Sequence, residues 1–265
     1  MRVVTVINAK GGCSKSTIAM NLAAALAGDG YRTLLLDLDP QAQLTAWLGL
    51  GDGLDTRGTI VLPLAAKQPL SGVIQTTQIA NLYFVASAQP LEDLGRQMTE
   101  EEGYQLRLTE LLAEVGDRFE LCVIDSPNQI SPVMENAIFP AHLFVVPFES
   151  TKAVKSYANV EALVQRMGGE APSALHVLSN LSRLPGQRKR VIDLIAREGI
   201  GRAVAEIRSC GWLAQVDEHG GSIFHFRPHA NGAKDLLVLK DQVLVALGLI
   251  ERAGTQSVDR PQLAA

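Results

Sequence analysis

The first 38 residues constrain the fold of this chain most tightly. Residues 3–7 form a β-branched run that predicts a buried strand, and a glycine-containing loop at residues 9–14 follows it. Apolar residues then recur at helical spacing, and residues 33–38 form a second apolar strand. A strand, a loop, a helix and a strand in this order make a βαβ unit, which requires a parallel sheet.

The same alternation continues along the chain. Further strands are predicted at residues 82–86, 121–124, 143–146, 175–178 and 203–207, and further helices at 102–115, 152–167, 190–197 and 233–247. Strands that are apolar throughout, separated by helices, indicate a sheet covered on both faces. We therefore expect an α/β fold with a doubly wound, mainly parallel sheet flanked by helices. It should form a single domain over residues 1–252, followed by a frayed tail at 253–265, with residues 51–73 as an excursion from the core.

Composition limits the class of protein. The chain of 265 residues is 47% hydrophobic and 20% charged, which suits a large aliphatic core. It contains no run of eighteen apolar residues, and a strand begins within two residues of Met1, so we expect a cytoplasmic protein without a membrane span or leader. The three cysteines share no CxxC spacing, which favours reduced thiols over a disulfide framework or a zinc site.

The loop between the first strand and the first helix has the chemistry of a phosphate site. Glycines let backbone N–H groups approach an anion, and a helix N-terminus adds a favourable dipole. Lys15 is placed to reach the β- and γ-phosphate oxygens of ATP, and Ser16 to ligate Mg²⁺. The strict P-loop pattern is not met, because Ala9 and Ser14 stand at its two glycine positions; an ordinary glycine-containing turn is the alternative interpretation. The expected nucleotide-binding residues are Lys10, Gly11, Gly12, Cys13, Ser14, Lys15, Ser16 and Thr17.

Two acidic motifs follow later strands. Asp37 and Asp39 come at the end of the second strand, where ligands of open α/β sheets bind, so we expect both to face the phosphates. The alternative is an acidic turn that caps a short helix. Asp125 ends a wholly apolar strand, in the Walker B arrangement that acts on Mg²⁺ through water.

Together these motifs resemble the ParA/MinD family of deviant-Walker ATPases, which position plasmids, chromosomes, division sites and protein cargoes. The resemblance rests on Lys10 before the glycine pair, Lys15, the Asp-x-Asp-Pro-Gln segment at 37–41 and the Asp-x-Pro segment at 125–127. It implies a homodimer closed by ATP, in which Lys10 of each protomer reaches the partner's phosphates. It also implies that Asp39 favours hydrolysis, that Asp125 lies on the Mg²⁺ side, and that Asn180 contacts adenine, although an Asn after a strand is equally well a turn residue.

The sequence departs from the family pattern at two positions. Ser14 stands where the family usually has Gly, and Asn128 where it has the second of two prolines. If the loop requires a positive φ, a serine there costs about 1–2 kcal/mol. We expect Ser14→Gly to preserve ATP binding and alter turnover. Asn128 lies at the expected second switch, where nucleotide state is coupled to partners.

Charge distribution separates the branches of the family. Residues 1–150 carry 9 basic and 17 acidic side chains, a net −8, whereas residues 151–265 carry 15 and 11, a net +4. A basic second half favours the ParA-like branch, which binds DNA without sequence preference, associates with the nucleoid and is stimulated by a ParB-like adaptor or cargo protein. The candidate DNA-binding residues are Arg183, Arg188, Lys189, Arg190 and Arg208, with Arg227 and Lys234 as possible extensions.

Other classes stay open as alternatives. A MinD-like protein would end in a basic amphipathic helix on a membrane, but residues 249–254 contain neither lysine nor an aromatic residue. A metabolic P-loop enzyme or an iron–sulfur protein of similar fold would need a substrate pocket or cluster thiolates. Cys122 lies within a predicted strand, and Cys13 is a loop residue whose exposure would make it oxidisable.

Overall fold

A sheet of parallel strands forms the centre of the molecule. The computed structural model describes residues 1–50, 55–168, 171–179, 186–201, 203–216 and 218–251. Within these ranges the sheet has eight strands, in the order β3-β4-β2-β5-β1-β6-β7-β8. Every neighbouring pair is parallel except β3–β4, an antiparallel pair at the edge. The strands are β1 (Arg2–Val6), β2 (Thr33–Asp37), β3 (Gln75–Thr76), β4 (Leu82–Val85), β5 (Leu121–Asp125), β6 (Leu143–Phe148), β7 (Ser173–Ser179) and β8 (Ala205–Ile207).

Helices connect the strands and cover both faces of the sheet. They are α1 (Lys15–Gly28), α2 (Gln43–Trp47), α3 (Val61–Leu64), α4 (Leu91–Met98), α5 (Arg107–Glu114), α6 (Pro132–Ile138), α7 (Thr151–Arg166), α8 (Gln187–Arg197), α9 (Ile223–Phe226) and α10 (Asn231–Ala246). Short 3₁₀ helices occur at Thr56–Gly58, Leu70–Gly72, Tyr104–Leu106 and Gly211–Gln215.

Alternate side chains of each strand enter different hydrophobic clusters. Val4 and Val6 of β1 pack with α1 and α10 on one face. Val3 points to the other face, where α3 and α5 pack over β2, β4 and β5, and α7 and α8 cover β6 and β7. Because both faces are covered, most positions of the central strands β1, β2, β5 and β6 carry apolar side chains. The predicted doubly wound α/β fold is confirmed.

The prediction for residues 51–73 was wrong where the structure describes them. From residue 55 onward this segment contributes side chains to the core, with Ile60, Leu64 and Leu70 buried beneath α5. Thr59 forms a bridge to Ala86, next to β4. The Gly, Leu and Pro content resembled a surface loop, but Leu64 and Leu70 point inward. Residues 51–54 and the predicted tail at 253–265 lie outside the described residues.

The strand order fixes where the site lies. The carboxyl ends of β2, β5 and β1 are adjacent, and in register Asp37 stands beside Asp125, which stands beside Val6. The loop that follows β1 is therefore next to both acidic strand ends. This is the edge of a doubly wound sheet at which ligands bind.

Candidate nucleotide site at the carboxyl edge of the sheet

The loop from β1 to α1 encloses a cavity of about 780 Å³. Residues 11–17 form one wall, and Asp39, Gln41 and Asn128 lie on others. No side chain caps the N-terminus of α1, so its first N–H groups stay available to an anion. The cavity has the polar backbone lining that a polyphosphate needs.

Two loop residues adopt the left-handed conformation. Gly12 has φ +74°, and Ser14 has φ 71°. The expected strain at Ser14 is therefore present, at a cost of about 1–2 kcal/mol for a residue with a Cβ. Strain of this kind persists only where the surrounding structure enforces it, and it clusters at functional sites.

The two loop lysines occupy different places. The side chain of Lys15 is buried beneath the loop, and its Nζ donates to the Lys10 carbonyl at 3.1 Å. Lys10 lies at the edge of the loop, where Nζ contacts the Glu149 carboxylate and donates to the Gly11 carbonyl at 3.1 Å. The Ser150 hydroxyl also donates to Glu149, at 2.9 Å. In the single chain, Lys10 is thus held by its own protomer.

Asp125 is buried at the carboxyl end of β5. It is 1% exposed, and neither oxygen has a hydrogen-bond partner among the described residues. Burial and the nearby Asp37 raise its pKa well above the ordinary value, while Ser16 and Lys15 oppose the rise. The Ser16 hydroxyl is close enough to lower the pKa but does not give either oxygen a hydrogen bond of ordinary geometry. An unpaired buried carboxylate is costly, so this donor set fits a divalent cation.

Asp37 does not face the cavity, contrary to expectation. It is fully buried, and one oxygen accepts from the Thr45 amide at 3.1 Å and the Thr45 hydroxyl at 2.9 Å. The other oxygen accepts from the Asp39 amide at 3.0 Å. Burial raises the pKa of Asp37 to about 7, although the hydrogen bonds from Thr45 and Asp39 work against this. The alternative interpretation, an acidic residue that organises the turn into α2, describes Asp37.

Asp39 lines the cavity. Its Oδ1 accepts from the Gln41 amide at 3.0 Å, which fixes the carboxylate on the turn between β2 and α2. Because Asp37 holds the Asp39 amide, the two acids have separate tasks. Asp37 shapes the turn, and Asp39 presents a carboxylate to the phosphate cavity.

The expectation that Cys13 is exposed was wrong. Cys13 is 1% exposed, and its Sγ donates to the Lys10 carbonyl at 3.0 Å. Burial raises the pKa of this thiol and also that of Cys122 in β5. Both cysteines are therefore poor nucleophiles at neutral pH.

Sequence reasoning missed two residues of the site. Glu149 holds Lys10, and the signal for it was an acid directly after a strand adjacent to β1. Trp47, at the end of α2, lines the cavity beside Ala46. No periodic pattern marked Trp47, because α2 is only five residues long.

The candidate DNA-binding residues fall into two groups. Arg188 makes a two-pronged ion pair with Glu206, at 3.0 and 2.8 Å, and Arg208 pairs with Asp235 at 2.6 Å. Arg190 lies in a groove between α7 and α8 together with Lys155 and Arg197. Lys189, Arg190, Lys155 and Arg197 have no ion pair with any residue in the described ranges.

The remaining candidates have other surroundings. The Arg227 guanidinium stacks over the Trp212 ring, 4.2 Å from its centroid. Lys234 is exposed on the first turn of α10. The predicted Asn180 and Arg183 lie outside the described residues.

Comparison with known proteins agrees with this geometry. A family model described as an AAA domain matches residues 1–169. The chromosome-partitioning ATPase Soj of Thermus thermophilus is 30% identical over 250 residues, which cover 92% of this chain and 96% of that protein. The chain belongs to the ParA/MinD family of P-loop ATPases.

Other known proteins are also similar to this chain. The cell division protein PomZ of Myxococcus xanthus is 28% identical, over 94% of this chain and 81% of PomZ. The ATP complex of a Cyanothece McdA variant superimposes with a TM-score of 0.80 at 20% identity, covering 96% of this chain and 98% of McdA. Two other curated relatives align over 148 residues only, so the chain spans 57% and 52% of their lengths.

Among the helices that the structure describes in this ParA/MinD ATPase, none combines the length and the apolar character that a bilayer crossing needs.

Proposed function

We propose that this ParA-like ATPase binds ATP with Mg²⁺, closes into a homodimer, and then binds DNA without sequence preference to position a cargo. Hydrolysis returns the dimer to monomers and releases the DNA. The observation that carries the proposal is the unpartnered Asp125 carboxylate beside Ser16, under a phosphate loop whose strained backbone is already formed.

The ATP-binding step uses residues of the loop. The amides of residues 11–17 and the Lys15 ammonium bind the phosphates, and Ser16 and Asp125 hold Mg²⁺. When bound, Mg²⁺ neutralises phosphate charge and so eases attack by water. Asp39, fixed by the Gln41 amide, orients that water.

Dimerisation uses Lys10. Its ammonium lies at the edge of the phosphate loop, and its present partner Glu149 is only partly buried. Reaching the partner's phosphates requires Lys10 to leave Glu149. ATP supplies the compensating charge, so the nucleotide shifts the population toward the dimer.

The DNA-binding step uses the α7–α8 groove. Arg188 and Arg208 are neutralised by their own acidic partners, so they add little net charge for a phosphodiester backbone. Lys155, Arg190 and Arg197 line one groove and are free of ion pairs within the described residues. Unpaired cations on adjacent helices give the salt-sensitive attraction that non-specific DNA binding needs.

Two relatives indicate the kind of process in which this chain takes part. The Thermus relative is a chromosome-partitioning ATPase, and PomZ is a cell division protein. We infer that this chain likewise works with a protein that stimulates its slow hydrolysis, and that its ATP form associates with the nucleoid. A plasmid, a chromosome or a protein assembly would all suit this cycle.

Co-sedimentation with bulk DNA tests the proposal. Wild-type protein with ATP and Mg²⁺ should pellet with DNA, should not do so with ADP, and should be released as salt rises. Replacing Lys155, Arg190 and Arg197 with Gln should abolish pelleting but leave ATP binding intact. The matched control replaces Arg2, Lys67 and Arg118, three exposed cations of the acidic half without an ion pair in the described part of the chain, and should pellet normally.

Some outcomes would overturn the proposal. Equal DNA retention with ADP and ATP would remove the nucleotide switch. Retention by anionic vesicles instead of DNA would favour the MinD-like branch. Fast turnover on a small-molecule acceptor would favour a metabolic enzyme.

An Asp39→Ala variant should bind ATP and stay on DNA, and unchanged turnover in it would remove the role given to Asp39.

A further inference from the structure

Asn128 stands on a short loop that is anchored at both ends. The loop joins β5 to α6, beginning at the fully buried Ser126. It ends at Ser131, whose hydroxyl accepts from the Met134 amide at 3.2 Å and caps α6. Asn128 therefore holds a defined position relative to Asp125, three residues earlier.

The Asn128 amide lies over the phosphate loop. Its Nδ2 is 3.7 Å from the point that a Cβ on Gly11 would occupy. The side chain lines the phosphate cavity together with Asp39 and the loop residues. It also lines a second cavity of about 350 Å³, between α4 and residues 127–133. Asn128, Asp39 and Gln41 are shared by the two cavities, so they form the wall between them.

This amide has unused hydrogen-bonding capacity. It is half-buried, and it makes no side-chain hydrogen bond to any residue in the described part of the chain. An asparagine carries two N–H donors, and it contributes no charge. A free donor in the wall of a phosphate cavity suits an anionic oxygen, and a charged neighbour makes such a bond stronger.

We propose that the Asn128 amide donates to the terminal phosphate of ATP, and that it thereby helps the site to distinguish ATP from ADP. The proposal rests on ATP binding at this cavity and assigns a role within it to this chain's own side chain. With ADP the donor has no phosphate oxygen to bind. Residues 127–130, which line the second cavity, then lose one restraint, so the contact links the terminal phosphate to the surface around Ile130.

Paired binding measurements test this assignment. Asn128→Asp has the same shape, but it replaces the donors with a negative charge facing the phosphate. Titration calorimetry with a non-hydrolysable ATP analogue and with ADP should show at least about tenfold weaker binding of the ATP analogue, and about the same ADP affinity. Asn128→Ala, which removes the donor without adding charge, should lose about fivefold for the ATP analogue only.

A neighbouring residue provides the matched control. Gln129 is exposed and lines the second cavity but not the phosphate cavity, so Gln129→Glu makes the same charge change away from the phosphates. It should leave both affinities unchanged. Thermal unfolding of each variant shows whether the fold is intact, and if Asn128→Asp does not fold, Asn128→Ala carries the comparison.

The outcomes distinguish a failure of the role proposed for Asn128 from a failure of the proposed ATPase function. Equal losses for the ATP analogue and ADP, or no loss for either, would overturn the role of Asn128 and leave the ATPase function standing. Failure of the wild-type protein to bind the ATP analogue would instead overturn the proposed function itself.

Discussion

The ammonium group of Lys10 contacts the carboxylate of Glu149 in the same chain, although the family resemblance assigns this lysine to the partner's phosphates. Partly exposed ion pairs of this kind contribute about 1 kcal/mol or less. Glu149→Gln removes the competing partner, so we expect ATP-driven dimerisation to strengthen up to about fivefold. Sedimentation velocity with a non-hydrolysable ATP analogue measures the change.

A second ion pair provides the control for that experiment. Asp55→Asn breaks the exposed contact with Arg57, far along the chain from the phosphate loop. Its dimerisation should match the wild type. Weaker dimerisation of Glu149→Gln would mean that Glu149 supports the dimer and does not compete with it.

Ser14→Gly should stabilise the protein. Relief of the positive φ gains about 1–2 kcal/mol, and the extra flexibility of glycine in the unfolded chain offsets about 0.5–1 kcal/mol. We expect a net gain of about 0–1.5 kcal/mol, with ATP binding retained and turnover altered because the phosphate loop changes stiffness. Thermal unfolding and steady-state ATPase rates measure both effects.

Ala66→Gly relieves a similar φ of 55° at an exposed position, and it should change stability without changing turnover. Loss of ATP binding in Ser14→Gly would contradict the prediction.

Asp125→Asn should stabilise the protein without nucleotide and weaken its binding of Mg²⁺ and ATP. The folded chain must either bury the Asp125 charge or take up a proton, because its pKa is raised by burial and by Asp37. This penalty is absent well below pH 3.8, where the unfolded chain is also protonated, and it grows as pH rises from there toward the folded pKa. The variant should therefore gain about 1–3 kcal/mol at neutral pH without nucleotide. The stabilisation that Mg²⁺ and ATP confer on the wild type should disappear.

Thermal unfolding with and without Mg²⁺ and ATP follows both changes in Asp125→Asn. Asp117→Asn, at an exposed position, serves as the control and should behave like the wild type. A variant that keeps the full nucleotide-induced stabilisation would show that Asp125 does not hold the metal.

His176 should make the protein acid-sensitive. Its ring stacks on Phe148 at 5.6 Å and meets Tyr157 at 5.7 Å, and its Nε2 has no partner among the described residues. Burial lowers its pKa below 6.5. Above pH 6.5 the ring is neutral in both states; as pH falls, the unfolded chain takes up a proton that the folded chain resists. The free energy of unfolding should therefore fall by up to about 1.4 kcal/mol per pH unit until the folded pKa is reached.

Denaturant unfolding at pH 7.5, 6.5 and 5.5 checks the role of His176. His176→Leu should lose less stability on acidification than the wild type. His229→Gln, which changes an exposed histidine, should follow the wild-type curve. A parallel decline in all three proteins would assign the acid sensitivity to other groups.

The fold could be predicted well because its signals are long and regular. The buried strands β1, β2, β5 and β6 are continuous apolar runs, and α7 and α10 carry sixteen residues each at helical spacing. The short elements gave weaker signals. The helices α2 and α3 span one turn or little more, and their position depends on tertiary contacts such as Ile60 beneath α5. Sequence periodicity does not reveal such contacts.

The sequence could predict only those site residues whose position follows from the order of strands and helices along the chain. The strand-end placement of Asp39 and Asp125 follows from the βαβ pattern. The burial of Asp37 could not be predicted in this way, because it depends on a hydrogen bond from the Thr45 hydroxyl, eight residues later, to the Asp37 carboxylate. The burial of Cys13 and the Glu149 contact of Lys10 likewise depend on elements more than a hundred residues away.

Glu149 also contacts a second element. While its carboxylate holds Lys10, its backbone carbonyl accepts from Gln187, the first residue of α8, at 3.4 Å. Glu149 thus contacts both the phosphate loop and α8, the helix that bears Arg190 and Arg197. The phosphate loop and the proposed DNA-binding groove therefore both contact Glu149, so a change at one can reach the other through this residue.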